Sequence, residues 1–224
     1  MSTSQPGVRS ASLYGELTNL ARPWVTAKLA DPILGALLDG TLDPAVMRRW
    51  LEQDHIYLRI YARVFARLAS LAPDDHVLTL VDGARYTMDT ELARLTELAG
   101  LFDADLTQSD VGVACAEYTA HLTATAERYE SGAVAVLPCM MGFSALGMVI
   151  EPPTEPRYRR WVEIYAAGDF QDYSARFAEL IDDLDIRRDE ASSIFETGMA
   201  MEVAMWNEAA SFALRGSQTH AKGP

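Results

Sequence analysis

The sequence predicts an all-α protein that folds as a single-domain helical bundle. Apolar side chains recur at helical spacing along most of the 224 residues, and no stretch alternates with a period of two for long enough to indicate a sheet. Proline and glycine divide the chain into segments of helical length. A chain of this length suits one domain with a substantial buried core. We therefore expect about seven or eight helices joined by short loops.

Each predicted helix begins or ends at a recognisable signal. Asp31-Pro32 breaks the first helical run, and Asp43-Pro44 supplies an N-cap and a first-turn proline for a long second helix. The predicted segments are residues 12–38 with that break, 43–72, 74–99, 109–130, 133–150, 158–166, 169–184 and 189–214. We expect residues 12–215 to form the domain, residues 1–11 to form a disordered tail, and residues 216–224 to form a polar tail.

The charge balance argues against a protein that binds nucleic acid. The net charge is −13, and the 19 Lys and Arg residues are spread along the chain rather than clustered where they could contact phosphates. No apolar segment of a signal peptide is visible near the start. The two cysteines, Cys115 and Cys139, form neither a CxxC pair nor a zinc-binding spacing. We therefore expect a cytoplasmic protein with reduced thiols.

Residues 133–150, AVAVLPCMMGFSALGMVI, form an uncharged stretch around Cys139. The length fits a membrane span, but Glu130 and Glu151 flank the stretch, no Lys or Arg anchor lies beside it, and proline and glycine interrupt it. The sequence therefore predicts a helix buried on all sides in the bundle, and no membrane partner. Pro138 should kink this helix, which makes room for a ligand beside the cysteine.

Asp54 lies on the apolar face of the long second helix. Tyr57, Leu58 and Tyr61 follow it at i+3, i+4 and i+7 and share that face. A carboxylate facing a helical core is costly unless it meets a partner. The partner is either a buried Arg, His or Tyr, which would make Asp54 structural, or a ligand.

Glu202 is the single charged residue in the segment GMAMEVAMW of the last helix. Its neighbours at i−4, i−3, i+3 and i+4 are all apolar or glycine: Gly198, Met199, Met205 and Trp206. Burial in such surroundings would raise the pKa of the carboxyl and make it usable as a proton donor. The alternative is a glutamate at the edge of the apolar face that reaches solvent.

Glu117 and His121 stand at i and i+4, a spacing that can bind a metal ion. A carboxylate-bridged di-iron bundle needs several Glu and His residues from four helices, and this sequence has four histidines in total. Cys139 with two carboxylates and several inward tyrosines fits a different chemistry better. That set indicates attack by a thiol with assistance from an acid.

Five short motifs resemble those of the TenA proteins (thiaminase II, aminopyrimidine aminohydrolase), in the branch that contains a cysteine. The resemblance covers about residues 13–214, and the motifs follow the family's order. They are LEQDHIYL with Asp54 and Tyr57, EYTAHL with Tyr118, LPCMMGF with Cys139, IYAAGDF with Tyr165, and MEVAMWNEA with Glu202. Two positions differ from the family's pattern, where this chain has Asp31 and Met205.

The resemblance implies a haem-oxygenase-like all-α fold and an enzyme of thiamin salvage. Such an enzyme cleaves the group on the C5 methylene of a 4-amino-2-methylpyrimidine, either aminomethylpyrimidine or thiamin, and releases hydroxymethylpyrimidine. Cys139 matches the nucleophile, Glu202 the acid at N1, and Asp54 the group that binds N3 and the 4-amino nitrogen. Tyr57, Tyr118 and Tyr165 would orient substrate, carboxylate and water, and Phe143 and Met205 would form apolar walls.

The resemblance further implies a homo-oligomer, a tetramer, that needs neither a cofactor nor a metal. Two alternatives from other classes stay open at this point. One is a haem-oxygenase-like metalloenzyme, di-iron or related to pyrroloquinoline-quinone synthase, that uses Glu117 and His121. The other is a regulatory protein without catalytic activity.

Overall fold

The structure, a computed structural model, describes residues 12–107 and 110–220, with side chains described up to residue 214. It is an all-α single domain, as the sequence predicts, and the described residues contain no strand. Its helices are α1 (Leu13–Leu29), α2 (Pro32–Leu38), α3 (Pro44–Leu71), α4 (Asp74–Tyr86), α5 (Leu92–Leu101), α6 (Val113–Thr125), α7 (Tyr129–Ala135), α8 (Leu137–Gly147), α9 (Pro156–Ala166), α10 (Gly168–Ala175), α11 (Phe177–Asp182) and α12 (Arg188–His220). A π-helical segment, Thr87–Glu91, joins α4 to α5.

The predicted N-cap of α3 at Asp43 is confirmed, and α1 and α2 begin with the same kind of cap. The hydroxyl of Ser12 accepts a hydrogen bond from the Gly15 amide at 3.1 Å. The carboxylates of Asp31 and Asp43 accept from amides two residues ahead, at 2.8 and 2.9 Å, and a proline follows each of them. Each cap satisfies a backbone N–H that has no partner inside its helix.

Several of the predicted segments are divided differently from the expectation. The kink predicted at Pro138 is an interruption of one helical turn at Val136, where the backbone stays near helical (φ −79°, ψ −14°), and the proline stands at the second position of the next helix, α8. The Tyr61 hydroxyl donates a hydrogen bond of 2.7 Å to the Val136 carbonyl at this interruption. Residues 169–184 likewise form two helices, separated at Arg176.

The predictions for the ends of the chain have different outcomes. Helix α12 continues to His220, five residues into the segment 216–224 that is predicted to be a polar tail. Residues 1–11 and 221–224 lie outside the described residues, and the predicted tails there stay predictions.

Helix α3 lies at the centre of the bundle and packs against α4, α5, α6, α7 and α12. Helix α12 in turn contacts α1, α6, α7 and α8. The approach of α12 to α8 is close, because a Cβ atom added at Gly198 would lie 2.5 Å from the ring of Pro138. A larger residue there would push apart the two helices that carry Glu202 and Cys139.

The apolar stretch around Cys139 is buried or half-buried over residues 133–147, as predicted, but Met148 and Val149 near its end are exposed, so the prediction of burial on all sides is wrong there. Among the described residues, one helical stretch, Tyr129–Gly147, has the length and composition of a membrane span, and 78% of its most apolar window is buried inside the protein. A core helix of a bundle has the same composition, because it is surrounded by other helices.

Candidate active site

Two cavities lie side by side in the bundle, and Phe143 lines both of them. The space within each lining, counted together with the solvent at its opening, is about 410 Å³. We call the first the Asp54 cavity; it is lined by Trp50, Leu51, Asp54, Leu58, Glu91, Leu95, Leu98, Cys139, Phe143, Ile164 and Tyr165. We call the second the Glu202 cavity; it is lined by Trp24, Val25, Lys28, Pro138, Gly142, Phe143, Leu146, Met199, Glu202, Val203 and Trp206.

Asp54 is a buried carboxylate without a hydrogen-bond or ion-pair partner in the part of the chain that the structure describes. Its helical face is the buried one, as predicted, and the residue is only 7% exposed. No side chain or backbone group among the described residues forms a hydrogen bond or an ion pair with it. Burial raises the pKa of its carboxyl well above the ordinary value, and the charges of Glu202 and Glu91 raise it further. The structural alternative, a pair with a buried Arg, His or Tyr, is therefore wrong.

Cys139 occupies the first turn of α8 because the helix begins at Leu137. It is 6% exposed and lines the Asp54 cavity. Burial raises the pKa of the thiol well above its ordinary value, and the nearby charges of Glu202, Glu91 and Asp54 act in the same direction. The Tyr57 hydroxyl and the helix N-terminus oppose this rise. The sulfur therefore keeps its proton until a reaction partner removes it.

Glu202 stands halfway along α12 and lines the neighbouring cavity. Its Oε1 accepts a hydrogen bond of 2.8 Å from the Tyr118 hydroxyl. Burial raises the pKa of the carboxyl to about 7, although Tyr118, Lys28 and Cys139 all oppose the rise. A carboxyl with this pKa is protonated in a substantial fraction of molecules at neutral pH and can serve as an acid.

The aromatic side chains form the walls between the carboxylates. Tyr165 is stacked on Phe143, with ring centroids 4.4 Å apart. Tyr57 lies against Tyr118, with ring centroids 4.7 Å apart. Four of the predicted site residues thus line the Asp54 cavity: Asp54, Cys139, Phe143 and Tyr165. Glu202 lines the neighbouring cavity. Tyr118 contacts Glu202, and Tyr57 lies beside Tyr118. Met205 is buried but lines neither cavity, so its place in the wall stays a prediction.

Residues 21–211 match the TENA/THI-4/PQQC family. The chain belongs to this family. A curated relative, the aminopyrimidine aminohydrolase of Halalkalibacterium halodurans, is 24% identical over 216 residues, which cover 89% of this chain and 94% of the relative. The thiamine biosynthesis multifunctional protein ThiED of Corynebacterium efficiens is 34% identical over 152 residues, 63% of this chain and 20% of the larger protein. The family's thiamine-metabolism relatives agree with the resemblance read from the sequence.

Solved structures share the fold. A TenA homologue from P. horikoshii OT3 superposes with a TM-score of 0.82 at 22% identity, over 90% of this chain and 99% of that one. A domain with a heme oxygenase-like fold from Shewanella denitrificans OS217 gives a TM-score of 0.69 at 12% identity, over 96% and 97% of the two chains. The haem-oxygenase-like fold predicted from the resemblance is confirmed.

Two charged residues that line the cavities, Lys28 and Glu91, were not predicted from the sequence. Lys28 lines the Glu202 cavity, forms a 2.9 Å ion pair with Asp31, and lies 4.8 Å from the Trp206 ring centre. Asp31 is one of the two positions that differ from the family's pattern, and here it caps α2 and holds Lys28. Glu91 lines the Asp54 cavity.

The Glu91 signal was present in the sequence. This carboxylate continues a stripe of buried positions at helical spacing, which comprises Leu80, Gly83, Thr87, Glu91, Leu95 and Leu98. The test that found Asp54 and Glu202, a charge on an apolar face, would have found Glu91 as well.

The proposed metal pair does not converge on a site. Glu117 is exposed, and His121 is partly buried on α6 with its Nε2 atom unpartnered. Neither residue lines the Asp54 cavity or the Glu202 cavity. Within residues 12–107 and 110–220, no group of three or more His, Cys, Asp or Glu side chains is arranged to hold a metal ion.

Proposed function

We propose that this protein hydrolyses the bond between the C5 methylene of a 4-amino-2-methylpyrimidine and its substituent, and releases hydroxymethylpyrimidine. The observation that carries the proposal is that Cys139 and the unpartnered carboxylate of Asp54 line one cavity, while a carboxyl with a pKa of about 7, Glu202, lies close behind the thiol. The relative named aminopyrimidine aminohydrolase supports the same substrate class.

The aminopyrimidine ring fits the donors and acceptors of this site. Asp54 would accept a hydrogen bond from the 4-amino group and, when it carries a proton, donate one to N3, so that one carboxyl group binds both atoms. Glu202 would face N1 on the opposite edge. Phe143 and Tyr165 would contact a face of the ring, because Phe143 lines both cavities and Tyr165 is stacked on it.

Cys139 would add to C6 of the ring. In this step Glu202 gives its proton to N1 and receives the proton of the thiol, so the S–H proton is transferred to N1 through one carboxyl group. The raised pKa of Cys139 makes such a transfer necessary, because little thiolate exists beforehand. Tyr118 holds the Glu202 carboxyl in place through its 2.8 Å hydrogen bond.

The adduct would then lose its substituent and take up water. Electrons from the enamine expel the group on the C5 methylene and form an exocyclic double bond. Water adds to that methylene, and loss of the thiol from C6 and of the proton from N1 restores the aromatic ring. The product is hydroxymethylpyrimidine, and the leaving group is ammonia or the thiazole of thiamin.

The test is release of ammonia from 4-amino-5-aminomethyl-2-methylpyrimidine by the purified protein, with and without a chelator. We expect activity that the chelator does not change. We expect Cys139→Ser to lower turnover by about 10³-fold or more while pyrimidine binding is retained, because the substitution removes the nucleophile and preserves the cavity. Cys115→Ser is the matched control, since Cys115 is the other buried thiol and lines neither cavity.

Two outcomes would contradict the proposal. Normal turnover by the Cys139→Ser variant would remove the nucleophile from the mechanism. Activity that disappears with the chelator in the unsubstituted protein would favour the metalloenzyme alternative instead.

A further inference from the structure

Glu91 is a buried carboxylate at the Asp54 cavity, and the mechanism above gives it no task. It is 8% exposed and lines the cavity together with Asp54, Cys139 and Tyr165. Its Oε2 accepts a hydrogen bond of 2.7 Å from the hydroxyl of Thr87, which is itself fully buried. This is the hydrogen bond that Glu91 forms within the described part of the chain, so its other oxygen is available to a ligand.

The backbone around Glu91 is specialised. Thr87 and Glu91 are the two ends of the π-helical segment, and both ends are buried while Met88 and Asp89 between them are exposed. A π-helical turn is less stable than an α-helical one and occurs frequently at functional sites. Here it places a threonine and a glutamate in contact on the inner face of the bundle.

The Asp54 cavity is lined by acidic side chains and by no basic ones. Asp54 and Glu91 both line it, and its lining contains no Lys, Arg or His side chain. Asp54 has no partner at all among the described residues. Burial raises the pKa of Glu91 to about 7, against the opposing effects of Thr87 and Arg94. A space faced by two buried carboxyl groups and by no basic side chain suits a ligand rich in N–H groups or positive charge, and such a ligand would favour the ionised form of both groups.

The order of atoms in a pyrimidine determines which part of the ligand faces Glu91. The C5 substituent projects between the 4-amino group, which Asp54 would bind, and C6, which Cys139 would attack. Asp54 and Cys139 line the same cavity as Glu91, whereas Glu202 faces N1 from the neighbouring one. The cavity that holds Glu91 is therefore the one that receives the leaving group.

We propose that Glu91 binds the nitrogen attached to the C5 methylene and so selects substrates whose leaving group is a primary ammonium. This inference rests on the proposed function of the site. A primary ammonium offers three N–H donors to the Glu91 carboxylate. The thiazolium of thiamin is also a cation but carries no N–H bond, so it gains less from Glu91.

The contact between Glu91 and the ammonium also keeps the leaving group protonated, so that it can depart as neutral ammonia. The substituent is bound as C–NH₃⁺, and when the C–N bond breaks its electron pair goes to nitrogen. The nitrogen already carries three hydrogens and leaves as neutral ammonia without taking a proton from the protein. Glu91 would hold the substituent in this protonated state, because its negative charge favours the ammonium over the free amine.

The experiment compares the binding of two ligands by calorimetry in the Cys139→Ser background, which prevents turnover. The ligands are 4-amino-5-aminomethyl-2-methylpyrimidine and 4-amino-2,5-dimethylpyrimidine, which lacks the nitrogen. The variant is Glu91→Gln, which keeps the size of the side chain and an acceptor for Thr87. Glu97→Gln is the matched control, because Glu97 lies on α5 with an exposed side chain and pairs with Arg160.

We expect Glu91→Gln to weaken binding of the aminomethyl ligand by about 10- to 100-fold, the usual effect of a lost charge-assisted hydrogen bond. Binding of the dimethyl ligand should change by less than about twofold, because this ligand has no group that reaches Glu91. Thr87→Val should give a smaller loss in the same direction, and it serves as the second variant if Glu91→Gln does not fold. In the protein with Cys139 intact, Glu91→Gln should reduce the preference in kcat/KM for aminomethylpyrimidine over thiamin.

Three outcomes would overturn the inference. Equal weakening of both ligands by Glu91→Gln would show a structural role, and unchanged binding of both would show that Glu91 does not contact the nitrogen. If the protein carrying only Cys139→Ser binds neither ligand, the proposed function itself fails. A failure confined to Glu91 leaves binding of the dimethyl ligand intact, so the two failures are distinguishable.

Discussion

The Asp54 cavity and the Glu202 cavity meet at Phe143, but the carboxyl groups that line them differ in their hydrogen-bond and ion-pair partners. Asp54 has no hydrogen-bond or ion-pair partner among the described residues, whereas Glu202 accepts a hydrogen bond from Tyr118 and lies near the cation of Lys28. Burial raises the pKa of both groups. A carboxylate without a partner is ready to bind a ligand, and a carboxyl held in place with a pKa of about 7 is suited to proton transfer.

Phe143 and Cys139 connect the two cavities. Both residues stand on α8, one turn apart, and the thiol is influenced by the carboxylates of both sides. A substrate that spans from Asp54 to Glu202 would therefore pass the sulfur on its way. We therefore expect Asp54 to bind the substrate and Glu202 to act as the acid. A single substitution tests each of these roles.

Glu202→Gln tests the acid side and should have the largest effect of these substitutions. We expect kcat to fall by about 10²- to 10⁴-fold, because glutamine cannot donate the proton to N1 or accept the thiol proton. In the unsubstituted protein the protonated carboxyl is the active form, so kcat/KM should fall as pH rises through about 7. Residual turnover of the variant should lack that fall in a pH–rate measurement.

The control for this substitution is Glu196→Gln, an exposed position on the same helix. It should leave both kcat and the pH profile unchanged. A Glu202→Gln variant with the original alkaline limb would assign that limb to another group.

Asp54→Asn tests the binding side. We expect KM to rise by about 10-fold with a smaller change in kcat, because the amide can accept from the 4-amino group and donate to N3 as protonated Asp54 does, but it cannot ionise and so cannot strengthen these hydrogen bonds with a charge. Steady-state kinetics with aminomethylpyrimidine would measure the split. Asp75→Asn, at an exposed position in the first turn of α4, is the control. A loss in kcat with an unchanged KM would indicate that Asp54 takes part in the chemical step and not in substrate binding.

Lys28→Met should have the smallest effect. Lys28 lowers the pKa of Glu202, since a nearby cation favours the carboxylate. Its removal should therefore raise that pKa and move the alkaline limb of kcat/KM to higher pH, with a change of less than about tenfold in kcat/KM at pH 7. Arg22→Met, at an exposed position on α1, is the matched control. If the alkaline limb of kcat/KM moved to lower pH in Lys28→Met, the expected rise in the pKa of Glu202 would be contradicted.

The periodicity of the sequence located two of the cavity carboxylates. Asp54 and Glu202 are recognisable because a charge interrupts an apolar helical face, and that test needs no knowledge of neighbouring helices. Glu91 obeys the same rule but lies in the segment TMDTE, where two other polar residues and an aspartate obscure the apolar stripe. Lys28 is different, since its burial depends on Trp206 and Asp31, and only the packed structure brings Trp206 to it.

The sequence by itself determined that this protein is an all-α bundle with a cysteine in its core and carboxylates on inward faces. Helical spacing, proline positions and capping aspartates act within a few residues of one another, so they can be read along the chain. Only the tertiary structure decided that α8 begins at Leu137, that a π-helical segment directs Glu91 inward, and that Asp54 meets no partner among the described residues. These features depend on contacts between helices distant in sequence, such as Tyr61 with the Val136 carbonyl and Gly198 with Pro138, and local pattern carries no information about such contacts.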